Sequence, residues 1–221
     1  MSGKESIAIL GGTGDLGTGL AIRWSRAGHE IVIGSRTLEK AKAAVANLQA
    51  ISPETSARAM ENPDAAAAGD IVVLTVPAEH QVSTLETVRA GLAGKILIDV
   101  SVPLVPPRVG TVQLPEAGSA GKRAQDFLGD DVLVVSAFQN IAAHLLRQDI
   151  QIECDVLVAG NRRAARDKVI ELAAEAGLTG WHAGPIDNAA AAEALTSILI
   201  QINRRHDVSH SGIRIVGQVG R

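Results

Sequence analysis

Short runs of consecutive apolar residues alternate along this chain with longer stretches whose apolar positions recur every three or four residues. Ile7-Ala8-Ile9-Leu10 predicts a buried strand, Leu16 to Ala27 a helix, Glu30 to Ile33 a second strand and Leu38 to Ala50 a second helix. Residues 51–62 are polar and weakly patterned, and Asn62-Pro63-Asp64 then starts a helix through the alanines at 65–68. Ile71 to Val76 predicts a strand ended by Pro77, followed by a helical stretch near Glu79 to Leu92 and a strand at Lys95 to Val100. Residues 103–121 hold four of the eight prolines and several glycines, which predicts an ordered loop. Strands are expected again at Val132 to Val135 and Val156 to Val158, with Ile141 to Gln148 helical between them. Asn161 is placed to cap a helix that reaches Ala176 and ends at Gly177, and a last apolar-faced helix is expected from Asp187 to about Asn203.

Near-continuous Val/Ile/Leu strands alternating with helices indicate an α/β fold with a parallel sheet covered on both faces. The pattern therefore predicts a Rossmann-type, doubly wound, mainly parallel sheet over residues 1–180 and a small C-terminal helical subdomain over 181–221. In the last helix, Leu195, Ile198, Leu199 and Ile202 share one face, which would bury against the main domain or a second subunit; a homodimer is expected.

Composition narrows the partners. Lys and Arg total 21 against 24 Asp and Glu, and aromatics make up 2% with no Tyr, so neither a broad positive field nor a stacking surface for nucleic acid is expected. The single cysteine, Cys154, excludes an internal disulfide framework and fits a reducing compartment. The apolar run after Met1-Ser2-Gly3-Lys4-Glu5 is too short for a signal peptide, and no stretch approaches a membrane span; a cytoplasmic location is expected.

The sharpest motif follows the first strand. Gly12-x-Gly14-x-x-Gly17 closes a strand and opens a helix, the context in which this spacing holds a dinucleotide pyrophosphate. Gly12 permits the tight turn, Gly14 the approach of the pyrophosphate, and Gly17 close helix–strand packing, while the free N–H groups and positive end of the helix hold the anion. About 20 residues on, where an NAD enzyme carries an acid for the ribose 2′-hydroxyl, the chain reads Gly34-Ser35-Arg36. With no carboxylate to repel it, a 2′-phosphate can be held by Ser35, by the Arg36 guanidinium and by Lys40 one helical turn further. NADP is thus expected over NAD.

These residues, together with Gly28-His29-Glu30, Leu74-Thr75-Val76-Pro77-x-Glu79-His80, Pro103-Leu104-Val105-Pro106, Val134-Val135-Ser136-Ala137, Ala183-Gly184-Pro185 and Glu193-x-Leu195-Thr196, resemble the NADPH-dependent F420 reductases, the NADP:deazaflavin oxidoreductases. The resemblance spans nearly the whole chain. It implies that Thr13, Ser35, Arg36 and Lys40 surround the 2′-phosphate and that Gly14, Asp15 and Leu16 line the pyrophosphate turn. It further implies that Val76, Pro77 and His80 lie near the nicotinamide and that Ala137 to Ala143 and the last helix border a pocket for coenzyme F420; the 103–121 loop, on the reading of its own residues, is expected over the cofactor side. Where family members carry a histidine beside that pocket, this chain has Phe138-Gln139-Asn140-Ile141, replacing a titratable imidazole with amides. Gln139 and Asn140 could bond the edge of a flavin-like ring or cap the following helix.

Hydride transfer between nicotinamide and a deazaflavin requires stacked rings in a dry pocket and no assigned catalytic acid. No Tyr-x-x-x-Lys or HExxH constellation is present, and no His/carboxylate spacing suggests a metal. Two other readings remain open on the sequence: an NADP-dependent reductase of another flavin, quinone, imine or metal chelate, and a non-catalytic NADP-binding redox sensor.

Overall fold

The structure, a computed structural model, describes residues 4–217; Met1 to Gly3 of the N-terminal stretch and the last four residues lie outside it. The chain alternates strand and helix through β1 (Ser6–Leu10), α1 (Asp15–Arg26), β2 (Glu30–Ser35), α2 (Leu38–Ile51), β3 (Ala57–Glu61), α3 (Asn62–Ala68), β4 (Ile71–Leu74), α4 (Gln81–Val88) and β5 (Ile96–Asp99). It continues with α5 (Ala120–Leu128), β6 (Leu133–Ser136), β7 (Asp155–Gly160), α6 (Arg163–Glu175), β8 (Thr179–Gly184) and α7 (Ala189–His206). The eight strands form one sheet in the order β3-β2-β1-β4-β5-β6-β7-β8. All neighbours run parallel except β6 and β7, which pair antiparallel through Val135–Gly160 and Ser136–Ala159. The doubly wound, mainly parallel fold predicted from the strand pattern is the fold observed.

Each strand feeds both faces of the sheet. On β1, Ile7 and Ile9 join Leu20 and Trp24 of α1 and Val169 and Leu172 of α6, whereas Ala8 and Leu10 join Ala65 of α3, Leu85 of α4 and Ala124 of α5. This double burial explains why the central strands are uninterrupted apolar runs.

Four elements depart from the sequence pattern. The polar segment before Asn62 contains β3, which pairs with β2 from Ile31–Ala57 to Ser35–Glu61. The proline-rich loop gives way to α5, whose N-cap Ser119 accepts a hydrogen bond from the Lys122 amide. Strand β8 is also new, and it runs across the domain boundary expected after residue 180. The helix expected at Ile141 to Gln148 is a single 3-10 segment, Ala143–Arg147, because the chain returns after it directly to β7. Asn161 does not cap α6: its Oδ1 accepts instead from the Ile186 amide at 3.1 Å.

Candidate functional site

The strand order reverses between β1 and β4, which leave in opposite directions to their next neighbours, and the ends of these strands open a crevice there. The chain leaves β1 through Gly11 at φ +72°. The Gly11 amide bonds the Gly34 carbonyl at 3.1 Å, and the Thr13 amide bonds the Gly11 carbonyl at 2.7 Å. Gly14 is the N-cap of α1 and offers no side-chain cap, which leaves the first amides of the helix available to an anion. A Cβ on Gly17 would sit 2.9 Å from the Gly12 Cα, so strand turn and helix touch through two glycines. By contrast, a Cβ on Gly14 would meet nothing within 4 Å. Its lack of a side chain therefore serves space outside the protein's own packing. Asp15, exposed in the first turn of α1, is ion-paired with Arg147 of the 3-10 segment, which offsets its negative charge beside the open amides of the helix.

At the end of β2, Ser35 is buried and Arg36 exposed, and Thr37 caps α2 by accepting from the Lys40 amide. Arg36 and Lys40 thus stand at the positive end of a helix. Neither makes an ion pair among the described residues.

A cavity of about 590 Å³ gathers Gly11, Thr13, Ser35, Arg36, Lys40, Val76, Pro77 and His80. Three segments far apart in sequence thereby meet in one place. Residues not foreseen from the sequence also line it: Ala43, Ala44 and Asn47 on the turns of α2 that follow Lys40, Ser83 and Thr84 on α4, and Asn62 at the start of α3. The helical spacing from Lys40 through Ala44 to Asn47 was a legible signal for the first group. His80 shares this cavity with Arg36 and Lys40, so the structure sets it with the basic residues around the start of α2 as well as with Pro77.

The turn carrying Pro77 and His80 is fastened from behind. Arg123 of α5 donates to the Ala78 carbonyl at 2.8 Å and to Gln81 Oε1 at 2.7 Å. Gln81 in turn donates to Asp99 and to the Ala120 carbonyl. Burial pushes the Asp99 carboxyl above its ordinary range, against the hydrogen bonds from Ser101 and Gln81 and the nearby Arg123 charge. Sequence reasoning missed Arg123, because α5 itself was not expected.

The segment after β6 behaves differently from expectation. Phe138, expected at a pocket rim, is buried edge-on against Trp24 with ring centroids 5.9 Å apart. Its positive φ of 72° turns the ring into the core. Gln139 donates to Ser136 Oγ at 2.8 Å and to the Asp99 carbonyl at 3.0 Å, and Asn140 donates to the Ala192 carbonyl at 2.9 Å and to Thr196 Oγ1 at 3.1 Å. Both amides commit their donors to holding the segment against β5 and α7, while Gln139 Oε1 stays buried without a partner. Gln139, Asn140 and Ile141 still border a second, smaller cavity of about 240 Å³ closed by Thr196, Leu199 and Asn203 of α7 and by His144 and His210. Ala143 does not line the large cavity; its carbonyl lies against Gly19 of α1. Nor does any residue of the 103–121 loop; Gly110 there packs on Gln201 of α7. Among the described residues, no group of three or more His, Cys, Asp or Glu could hold a metal ion.

A strand order that reverses over a glycine turn, with basic residues just past the end of the second strand, defines a Rossmann-type dinucleotide-binding fold. Comparison with known proteins makes this specific. A family described as NADP oxidoreductase, coenzyme F420-dependent, matches residues 6–103. The F420-dependent NADP reductase of Methanothermobacter thermautotrophicus is 42% identical over 218 residues, covering 95% of this chain and 94% of that protein. That of Methanocaldococcus jannaschii is 37% identical over 219 residues, covering 95% and 97%. A solved structure from Arthrobacter sp. FB24, provisionally assigned as an F420-dependent NADP reductase, superposes with a TM-score of 0.83 at 25% identity over 97% of this chain and 100% of its own. The chain belongs to the F420-dependent NADP reductase family.

Proposed function

We propose that this protein transfers hydride between NADP(H) and coenzyme F420. The observation that carries the reading is the cavity in which Thr13, Ser35, Arg36 and Lys40 meet Val76 and Pro77: cations and hydroxyls at one end, apolar residues beside them. In this reading Ser35, Arg36 and Lys40 hold the 2′-phosphate, Gly12 to Gly17 hold the pyrophosphate on the open amides of α1, and Val76 and Pro77 flank the nicotinamide side. Open space above Gly14 and unpaired cations at Arg36 and Lys40 suit that ligand. The nicotinamide and deazaflavin rings supply the redox chemistry; the chain's part is to orient them in contact and keep water out. For the second ring we assign the smaller cavity bordered by Gln139, Asn140 and Ile141 on one side and by α7 on the other. Ile198 and Ile202 of α7 are exposed, at 44% and 38%, and support a homodimer through this helix. No helix among the described residues is long and apolar enough to cross a membrane, and the buried free thiol of Cys154 suits a reducing, cytoplasmic setting.

Mixing protein, NADPH and oxidised F420 and following loss of the deazaflavin absorbance tests the reading. Turnover is expected. Tight NADPH binding without turnover would overturn the second-substrate assignment while leaving the first.

A further inference from the structure

Asn62 opens α3 in the sequence pattern Asn-Pro-Asp, where an asparagine ordinarily caps a helix by accepting from a backbone amide two or three residues on. Its side chain does not do so. The N-cap position is Glu61, and no side-chain capping bond is formed. The Asn62 side chain is nevertheless buried, the residue being 6% exposed, and its Oδ1 has no hydrogen-bond partner. Buried amide groups in folded proteins are almost always partnered, and leaving one unmade is costly.

Oδ1 itself is sealed off against Gly34, so the atom left to meet a ligand is the amide Nδ2. Ser35 pairs with Glu61 in the β2–β3 ladder, so Asn62 is the first residue beyond the end of β3 and stands beside the end of β2. A Cβ on Gly34 would meet the Asn62 Oδ1 at 2.9 Å, so only a glycine at 34 leaves room for this amide. Asn62 lines the large cavity together with Ser35 and Arg36. Its Nδ2 is a donor, as the Arg36 and Lys40 nitrogens are. Being neutral, it also adds no charge against a phosphate.

We propose that Asn62 is a recognition residue for the adenosine ribose and its 2′-phosphate, completing the site that Ser35, Arg36 and Lys40 begin; this rests on the NADP reading given above. A ribose hydroxyl oxygen or a phosphate oxygen can accept from Nδ2. The same amide explains why the position carries Asn rather than Asp: a carboxylate here would face the 2′-phosphate.

Direct fluorescence titration of NADPH and NADH, without F420, tests this apart from the choice of second substrate. Asn62→Ala is expected to weaken NADPH binding about tenfold, the loss of one good hydrogen bond. Asn62→Asp, of the same shape, should weaken NADPH about a hundredfold or more and NADH less than about threefold, because only NADPH carries the opposing charge. A folded Asn62→Ala that binds NADPH within about twofold of wild type overturns the proposal. So does an Asn62→Asp that loses both nucleotides equally, which would mark a purely structural role. If Asn62→Ala does not fold, the isosteric Asp variant decides. Wild-type protein that binds no NADPH would overturn the underlying reading as well, and is thereby distinguished from failure at Asn62 alone.

Discussion

The carboxylate of Glu193, on α7, accepts hydrogen bonds from the backbone amides of Ala120 at 2.6 Å and Gly121 at 3.0 Å, the first two residues of α5. A side chain from the last helix thus caps a helix some seventy residues earlier, at 1% exposure. Through α5 it also steadies Arg123, and through Arg123 the turn carrying Pro77 and His80.

Burial pushes the Glu193 carboxyl up to about 7, with Asp99 nearby adding to the rise; the two α5 amides and the Arg123 charge oppose it. The folded state therefore keeps a proton that the unfolded chain releases near its ordinary value of 4.5. Stability should fall as pH rises from about 4.5 to about 7 and level off above. Relative to Glu193→Gln, which cannot titrate, wild type should lose at most about 3 kcal/mol across that window. Urea unfolding of both proteins at pH 5 and pH 8 measures the difference; a difference that does not change with pH would refute it.

Arg36→Ala should raise the KM for NADPH at least about tenfold while barely changing that for NADH, since in the proposed site the guanidinium meets the 2′-phosphate that NADH lacks. Steady-state kinetics with both nucleotides decide. Equal effects would mean that Arg36 does not read the phosphate.

The two glycines of the phosphate loop should fail in opposite ways. Gly17→Ala drives a methyl to 2.9 Å from the Gly12 Cα and should destabilise the fold by about 1–3 kcal/mol, seen as a lowered Tm. Gly14→Ala meets nothing within 4 Å and should leave Tm nearly unchanged while weakening NADPH binding. If both variants lost stability alike, Gly14 would be a packing residue.

Arg123→Ala removes the bonds to Ala78 and Gln81 and the cation facing Asp99 and Glu193. A stability loss of about 2 kcal/mol is expected, together with a several-fold higher KM for NADPH. Arg123→Lys should recover part of both through a single donor to the Ala78 carbonyl. Unchanged nucleotide affinity in a destabilised Ala variant would confine Arg123 to a structural role.

The central strands and the glycine loop were legible because each is a local statement. A strand buried on both faces must be apolar at successive positions, as Val72, Val73 and Leu74 are, and a helix that touches a strand turn must have glycine at the contact, as Gly17 does. The edge strands β3 and β8 were not legible. Each pairs on one side only and is partly exposed, so Ala57-Arg58-Ala59-Met60-Glu61 and Thr179 to Gly184 carry no apolar run; their neighbours in the sheet impose extended structure on them. Helix α5 was hidden by its own polarity, with Lys122, Arg123, Gln125 and Asp126 around a narrow apolar stripe.

The sequence by itself therefore determined the parallel sheet and the glycine turn after its first strand, because hydrophobic burial and close backbone contact dictate residue type at fixed spacing. Only the tertiary structure decided how Phe138, Gln139 and Asn140 are used. The positive φ at Phe138 turns its ring onto Trp24, and the two amides that follow spend their donors on Ser136, Asp99, Ala192 and Thr196. Those partners come from β5, β6 and α7, and a side chain's hydrogen bonds to distant segments leave no periodic trace in the chain that makes them.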